Sequence, residues 1–228
     1  MSALGKVARA ALLGAAAHPD GMLTDVHQRT AIALEERGYV GLWPLLPGRK
    51  PTRIADLPTW PLDVPITPAG RAEAERLGAA PAPSRLLVIP CGGAKRTEWR
   101  SWPAGELYVG SYHRACRAAA DRLAAETGAR VVVLSAWYGL VSLQRPLWTY
   151  DVTVGDPRTV KPETIRRQSE AMGVLDADVT VLAGSRYVRL AREVFPDAAA
   201  PLAGTRGIGE QLARLKRIRF DGSQALAA

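Results

Sequence analysis

Apolar residues follow two different patterns along this chain. In the first third they recur at helical spacing, in Lys6 to Ala17 and again from Thr24 to Arg37. Further along, the short apolar runs Leu86 to Ile89, Arg130 to Ser135 and Asp178 to Gly184 are typical of parallel strands buried on both faces. We therefore expect a helical first part and a second part in which strands and helices alternate.

The change of pattern coincides with a proline-containing stretch, Pro81 to Pro83, which is typical of a linker. A chain of 228 residues is long enough for two small domains. The predicted domains are residues 1–80 and residues 84–220.

The first domain has the element order of a winged helix-turn-helix. Its two helices are followed by a predicted strand from Tyr39 to Leu46, an exposed turn from Pro47 to Arg53 and a returning strand from Leu62 to Ile66. Thr24 is the expected N-cap of the second helix. The segments Thr30 to Val40 and Ile66 to Arg71 resemble the recognition helix and the closing helix of MarR-type winged-helix proteins.

The MarR-type resemblance implies two sets of DNA-binding residues. Gln28 and Arg29 would lie at the start of the recognition helix, where base edges are met. Arg49, Lys50 and Arg53 would form the wing tip, near phosphate or a minor groove. Winged helices also serve as protein-docking modules or as lids on a neighbouring domain, and that alternative stays open.

The second domain is predicted to carry the binding site. Its helices are expected at Gly105 to Gly128, Thr159 to Met172 and Ser185 to Phe195. A last helix is expected to run to Arg217 after a glycine-rich turn, Gly204 to Gly209. Alternation with the strands implies a mainly parallel sheet, and ligands bind beyond the carboxyl ends of such strands. The predicted fold class is α/β, with an N-terminal winged helix-turn-helix followed by a mainly parallel α/β domain.

Small and polar residues follow each predicted strand, and the glycine-rich turn would suit a phosphate at a helix N-terminus. The candidate substrate-binding residues are Cys91, Gly92, Gly93, Ser135, Trp137, Gly184, Ser185, Arg186, Gly204, Gly207 and Gly209.

Several motifs of the second domain resemble the YaaA-like superfamily. These are Leu107 to Tyr112, Val133 to Val141, Tyr150-Asp151 and the loop Cys91 to Lys95, with the glycine-rich turn near the end. The match covers about residues 85–218. One member of this superfamily binds DNA and is implicated in protection of DNA under peroxide stress, so the resemblance implies DNA or a nucleotide as the partner.

Charge is concentrated in the second part of the chain. Through Ser84 there are 9 Lys and Arg against 8 Asp and Glu, a net charge of +1, and from Arg85 onward there are 21 against 14, a net charge of +7. Such an excess favours a polyanionic partner. Arg214, Lys216 and Arg217 of the last helix are the candidate DNA-backbone contacts.

The composition also excludes several classes of protein. No stretch is apolar enough for a membrane span, and the short alanine-rich start fits an amphipathic helix better than a secretory signal, so a cytoplasmic protein is expected. The two cysteines, Cys91 and Cys116, lack the spacing of a zinc site or a disulfide framework. We expect neither a metal nor another cofactor.

The remaining side chains suit cofactor-free cleavage of an N-glycosidic bond. No histidine is near Ser135 in the sequence, so a Ser-His-Asp triad is not expected. The candidate catalytic residues are Asp151, which would stabilise an oxocarbenium-like centre or activate water, Tyr138, and Lys95. Lys95 could assist the leaving base, bind phosphate or attack the sugar as a Schiff-base lysine.

We therefore expect a DNA-binding enzyme, a glycosylase that removes a modified or damaged base from DNA in a repair role. One alternative is a transcription regulator whose YaaA-like domain senses a nucleotide. Another is a hydrolase or transferase that acts on free nucleotides.

Overall fold

The computed structural model describes residues 4–41, 54, 64–81 and 83–226. The chain forms two compact units, each of which has its own core. The first contains the residues before Pro83 together with Ser169–Gly173, and the second contains Pro83–Gln168 and the residues from Val174 onward. The first unit therefore includes a short segment from far along the chain.

The described residues of the first unit form three helices and a two-stranded antiparallel sheet. In chain order they are α1 (Lys6–Ala17), β1 (Met22–Leu23), α2 (Gln28–Glu35), β2 (Val64–Pro65) and α3 (Pro68–Arg76). The side chains of Leu12, Leu34, Ile54 and Val64 are fully buried among them. Helix α1 has the bounds that the apolar periodicity predicts.

Helix α2 differs from its predicted start. It begins at Gln28 rather than after Thr24, because the His27 ring, not the Thr24 hydroxyl, is the N-cap and accepts a hydrogen bond from the Arg29 amide at 3.2 Å. Strand β1 was not predicted. It pairs with β2, and an isolated antiparallel bridge joins Val40 to Ile66.

The predicted wing lies outside the described residues. Residues 42–53 and 55–63 contain the wing-tip candidates Arg49, Lys50 and Arg53, together with most of the strand expected from Tyr39 to Leu46. The structure therefore gives the helices and the strand ends of the first unit, and the winged helix remains a prediction.

The second unit is built around a four-stranded sheet. That sheet consists of β3 (Arg85–Pro90), β5 (Arg130–Ser135), β6 (Gly139–Ser142) and β8 (Asp178–Val181), and the unit also contains the short strands β4 (Trp102–Pro103) and β7 (Pro146–Leu147). Its helices are α4 (Ala104–Leu107), α5 (Ser111–Thr127), α6 (Pro162–Met172, whose last turn belongs to the first unit), α7 (Ser185–Arg192) and α8 (Ile208–Asp221), followed by a 3₁₀ turn at Gly222–Leu226.

The sheet is mixed, with the order β6-β5-β3-β8. Strand β3 lies in the centre, parallel to β5 and β8, whereas β6 returns antiparallel to β5 at the edge. Strands β4 and β7 form a separate antiparallel pair. The α/β fold and the parallel central strands agree with the prediction, and the antiparallel edge strand was not predicted.

The helix predicted from Gly105 to Gly128 is two helices, α4 and α5. The chain between them bridges back to the loop after β3, because the Arg96 amide donates to the Leu107 carbonyl at 2.9 Å and the Val109 amide donates to the Ala94 carbonyl at 3.0 Å. These bonds replace the helical ones at this point. The break fixes Tyr108 against the end of β3.

In the described part of the chain, no helix has both the length and the apolar character needed to cross a membrane.

Candidate functional site at the carboxyl edge of the sheet

The three parallel strands bring their carboxyl ends to one edge of the sheet. Pro90 of β3 pairs with Leu134 of β5, and Val88 pairs with Val181 of β8. The Cys91 amide extends this pattern by donating to the Leu134 carbonyl at 3.1 Å. We call the loops that follow β3, β5 and β8 the rim, and the predicted site residues of these loops meet there.

The loop after β3 is packed tightly on one side and open on the other. A side chain at Gly92 would contact the Cβ atoms of Tyr108 and His113, whereas Gly93 faces open space. Within the described residues, neither the Gly92 nor the Gly93 amide donates a hydrogen bond. Such amides suit an anion. Lys95 reaches back over this loop, with its Nζ 3.4 Å from the Gly93 carbonyl oxygen.

A buried hydrogen-bond network lies under the rim and is centred on Tyr150. The fully buried Ser135 hydroxyl donates to the Tyr150 hydroxyl at 2.8 Å, and the hydroxyl groups of Tyr108 and Tyr150 are 3.1 Å apart. Ser135 Oγ accepts hydrogen bonds from the amides of Trp137 and Tyr138 at 3.2 and 2.9 Å. The Ser135 hydroxyl therefore already donates one hydrogen bond and accepts two, which suits a structural role, and it is poorly placed to act as a nucleophile.

Aromatic rings and one ammonium group cover this network. The Tyr138 ring meets the Tyr150 ring edge-on, with centroids 5.4 Å apart. Lys95 Nζ lies 4.3 Å from the Tyr150 ring centroid, a cation–π contact. On the other side, the Cys91 sulfur and the Tyr187 hydroxyl are 2.9 Å apart. We call Tyr108, Tyr138, Tyr150 and Tyr187 the tyrosine cluster.

The tyrosine cluster is uncharged at neutral pH. Burial is the main cause that raises the pKa of each of its hydroxyl groups above the usual value of a tyrosine. Neutral phenols are hydrogen-bond donors and acceptors rather than bases. The positive charge beside the cluster therefore comes from Lys95.

His113 of α5 lies beside the site, although it is distant from Ser135 in the sequence. Its ring packs on Tyr108 with centroids 5.1 Å apart, and its Nδ1 is 2.8 Å from the Pro90 carbonyl oxygen. Because that carbonyl can only accept, Nδ1 carries the proton. Nε2 is buried, with no hydrogen-bond partner among the described residues. Burial lowers the pKa of His113, which favours the neutral ring.

Asp151 is exposed at the surface, next to the tyrosine cluster in sequence. Its backbone carbonyl accepts a hydrogen bond from Arg158 at 2.9 Å, and the same guanidinium pairs with Asp156 at 2.8 Å. Hydrogen bonds from Arg158 lower the pKa of Asp156 to about 2. Arg158 thus fixes the backbone at Asp151 while the Asp151 side chain stays at the surface.

An open cleft of about 750 Å³ follows Asp151 along the chain. Its walls are residues 153–156, Pro162, Glu193 and one face of α7 that carries Arg186 and Arg189. Both arginines are exposed, and neither makes an ion pair in the described part of the chain. Gly184 and Ser185 form the start of α7 at this end of β8. The two guanidinium groups favour an anionic group in the cleft, whereas the carboxylates of Asp156 and Glu193 in its walls oppose one.

The glycine-rich turn before α8 is partly occupied by the protein itself. Glu210 accepts hydrogen bonds from the amide and the guanidinium of Arg206, at 2.9 and 2.8 Å, so its carboxylate already lies at the start of the helix. Side chains at Gly207 and Gly209 would meet open space, and Gly204 has a positive φ of 74°. A phosphate at this turn would have to compete with Glu210.

The glycine-rich turn nevertheless lies close to the end of β8. The Tyr112 hydroxyl donates to the Gln211 side-chain oxygen at 2.5 Å, and a side chain at Gly184 would lie within 4 Å of both residues. The structure therefore brings the ends of β3, β5 and β8 and the start of α8 together.

The predicted DNA-binding residues have different surroundings. The Gln28 side chain is partly buried and donates to the Ile54 carbonyl at 3.2 Å, whereas Arg29 is exposed. Arg214 donates to the carbonyls of Pro201 and Ala203 at 3.0 and 2.8 Å and so holds the loop before α8. Lys216 and Arg217 are exposed.

Sequence reasoning missed the residues at the centre of the site. Tyr108 and Tyr150 stand in motifs that the sequence analysis names, and Tyr187 stands near the start of the helix predicted from Ser185, but none of the three is among the predicted site residues, and no histidine was expected near Ser135. The available signals differ, since Tyr108 and Tyr150 belong to the segments that resemble the YaaA-like superfamily and Tyr187 follows the predicted strand that ends at Gly184. Cys116 is buried in the core below them, where burial raises the pKa of its thiol to about 12.

In the part of the chain that the structure describes, no three His, Cys, Asp or Glu side chains are grouped so that they could hold a metal ion.

No curated protein and no solved structure is significantly similar to this chain. The profile of one family matches residues 86–217, which are more than half of the 228 residues and contain the sheet, the rim and the tyrosine cluster. The chain therefore belongs to the family of unknown function DUF6884.

Proposed function

We propose that this protein binds DNA and cleaves the N-glycosidic bond of a modified or damaged nucleotide at the rim. The observation that carries the proposal is the position of Lys95, whose ammonium group lies on the Tyr150 ring above the buried Ser135–Tyr150–Tyr108 network. A cation held beside aromatic faces suits a leaving base. The exposed carboxylate of Asp151 follows directly after Tyr150 in the chain.

The proposed reaction is a hydrolysis. The bond between C1′ of the sugar and the base nitrogen breaks, and its electron pair leaves with the base. Lys95 donates a proton to the departing base, while Asp151 stabilises the positive charge on the sugar and takes a proton from the attacking water. The products are the free base and an abasic sugar, and proton transfer through solvent restores both side chains.

The overall charge and the resemblances to YaaA-like and MarR-type proteins support DNA, rather than a free nucleotide, as the substrate. Residues from Arg85 onward have a net charge of +7, and Lys216 and Arg217 are exposed on α8. We propose that the second unit is a YaaA-like domain and that the first is a MarR-like winged helix which holds the duplex. The exposed Arg29 at the start of α2 is compatible with that role. A repair enzyme of this kind would act in the cytoplasm.

A direct test is base release from oligonucleotides that carry uracil, an oxidised guanine or an alkylated adenine. Abasic sites are detected by strand cleavage in hot alkali. Asp151→Asn should lower turnover by at least about 10²-fold while DNA affinity stays within a few-fold, because the change removes charge and keeps shape. Asp197→Asn, which alters another exposed carboxylate, is the matched control. Absence of base release from all substrates, or full activity of Asp151→Asn, would contradict the proposal.

Borohydride separates the two possible roles of Lys95. If the lysine forms a Schiff base with the sugar, reduction traps a covalent DNA adduct that Lys95→Ala cannot form. If Lys95 only protonates the base, no adduct appears and Lys95→Ala still lowers turnover.

The cleft beside α7 favours a second candidate, cleavage or transfer on a free nucleotide. Arg186 and Arg189 line it without ion-pair partners in the described residues, as a phosphate site would require. Nucleoside monophosphates tested in parallel with the oligonucleotides decide between the two substrates. Arg186→Ala should raise KM for a free nucleotide under this second candidate.

A further inference from the structure

Two tryptophan side chains are exposed together on the second unit. Trp99 is 86% exposed and Trp148 is 47% exposed, and their ring centroids are 5.4 Å apart with the planes tilted by 56°. Indole rings are mostly covered in folded proteins, and exposed apolar groups that cluster mark interaction surfaces. The pair therefore requires an explanation beyond the stability of the fold.

The backbone around this pair is well anchored. Strands β4 and β7 pair Trp102 with Leu147. Trp99 comes shortly before β4 and Trp148 comes directly after β7, so both indoles belong to segments that this small sheet holds together. The Tyr138 hydroxyl donates to the Trp148 carbonyl at 3.2 Å. A preformed surface loses little conformational entropy when a ligand binds to it.

Positive charge lies in the loop that carries Trp99, where two arginines stack on the neighbouring Trp102 ring. The guanidinium carbons of Arg96 and Arg100 lie 4.1 and 3.4 Å from the centroid of the buried Trp102 ring. The loop from residue 91 to residue 103 carries Lys95, Arg96 and Arg100 against Glu98, a net charge of +2. Aromatic plates set among cations favour a flexible chain of phosphates and bases.

We propose that Trp99 and Trp148, with Arg96 and Arg100, form a stacking platform for an unpaired stretch of nucleic acid. The indoles would stack on successive bases while the guanidinium groups bind the phosphates between them. Bases inside a duplex are already stacked on their neighbours, so the platform selects unpaired nucleotides. The inference rests on the proposed function, because Lys95 is adjacent to Arg96 and Tyr150 comes two residues after Trp148 in the same two loops.

The test uses the full-length protein and a fluorescently labelled dodecamer of deoxythymidine, with anisotropy as the readout. Trp99→Ala and Trp148→Ala should each weaken binding by about 5- to 150-fold, the measured range for loss of one stacked base. Phe220→Ala is the matched control, since it removes an aromatic ring that is 64% exposed on α8. Trp99→Phe and Trp148→Phe should recover part of the affinity, because a phenyl ring still stacks.

Several outcomes would overturn the platform. They are tryptophan variants that bind like Phe220→Ala, equal losses on a duplex of the same length, or wild-type protein that fails to bind the dodecamer at low salt. Failure of the wild type to bind the dodecamer would indicate that the two indoles contact a protein partner instead. Both rings are exposed, so melting temperatures should stay unchanged and a folding defect is easily recognised.

The base-release assay keeps the two proposals separate. Loss of dodecamer binding in the tryptophan variants, with no base release by the wild type, supports the platform and contradicts the glycosylase. Base release with normal dodecamer binding by the tryptophan variants supports the glycosylase and contradicts the platform.

Discussion

The neutral His113 ring fixes the loop that follows β3. Its Nδ1–H donates to the Pro90 carbonyl, while Tyr108 covers one side of the ring. Protonation would place a charge at the buried Nε2, which has no hydrogen-bond partner in the described residues. This single side chain therefore makes the end of β3 sensitive to acid.

We expect His113 to reduce the stability of the protein at low pH. Burial lowers its pKa in the folded state below the usual value of a histidine, so the unfolded chain binds the proton first as the pH falls. The contribution of the neutral His113 ring to the free energy of unfolding is complete above about pH 6.5 and is lost as the pH drops below that value.

Thermal unfolding of the wild type and of His113→Gln at pH 7.5 and 5.0 measures this effect. The variant should show a smaller drop between the two values, since glutamine can still donate to Pro90 but does not titrate. Arg114→Gln, which changes an exposed side chain on the same helix, is the control. An equal drop in wild type and His113→Gln would contradict the assignment.

At the scale of elements, the turn between β5 and β6 joins the rim to the rest of the sheet. Gly139 begins β6 with a positive φ of 77°, and Gln168 of α6 bonds both sides of it. The Gln168 side chain accepts from the Leu140 amide and donates to the Tyr138 carbonyl, each at 2.7 Å. A glycine is required here because a side chain would collide with Gln168 and would disfavour the left-handed backbone.

We expect Gly139→Ala to destabilise the protein by about 1–3 kcal/mol, the usual cost of a strained backbone, and to add the cost of displacing Gln168. Gly155→Ala is a suitable control, because Gly155 also has a positive φ but faces open space. Urea unfolding should therefore give a larger loss for Gly139→Ala. Equal losses would mean that the Gln168 contact contributes nothing.

At the scale of the whole molecule, basic residues have different functions even on one helix. Arg214 is used to hold the loop before α8, whereas Lys216 and Arg217 are exposed on the same helix. Only the last two are available to neutralise phosphates. The three residues therefore should not behave alike in DNA binding.

We expect the double variant Lys216→Ala/Arg217→Ala to flatten the slope of log K against log salt by about 2, since each phosphate contact contributes about 0.9. Arg214→Ala should leave the slope unchanged. The control is Arg166→Ala/Arg167→Ala, which removes the same charge from exposed positions on α6. If both double variants flatten the slope equally, the effect comes from net charge and not from contacts made by α8.

Much of the architecture of this protein is determined by its sequence. The apolar runs predict β3 and β5 to within one residue and the start of β8, which ends three residues before its predicted end, because a strand buried on both faces needs apolar side chains at successive positions. The polar and glycine residues after these strands end the apolar runs, and so they predict where the strands stop and the loops of the rim begin. Helix α1 is equally clear from its periodicity.

Tertiary structure decided the features that depend on distant residues. The break between α4 and α5 arises from hydrogen bonds to the loop at Ala94 and Arg96, and β6 is a strand because it pairs with β5. The contact between the hydroxyl groups of Tyr108 and Tyr150 joins residues 42 positions apart. Local patterns report burial and periodicity, but which buried hydroxyl meets which partner depends on how the elements pack, so the centre of the site emerged only from the fold.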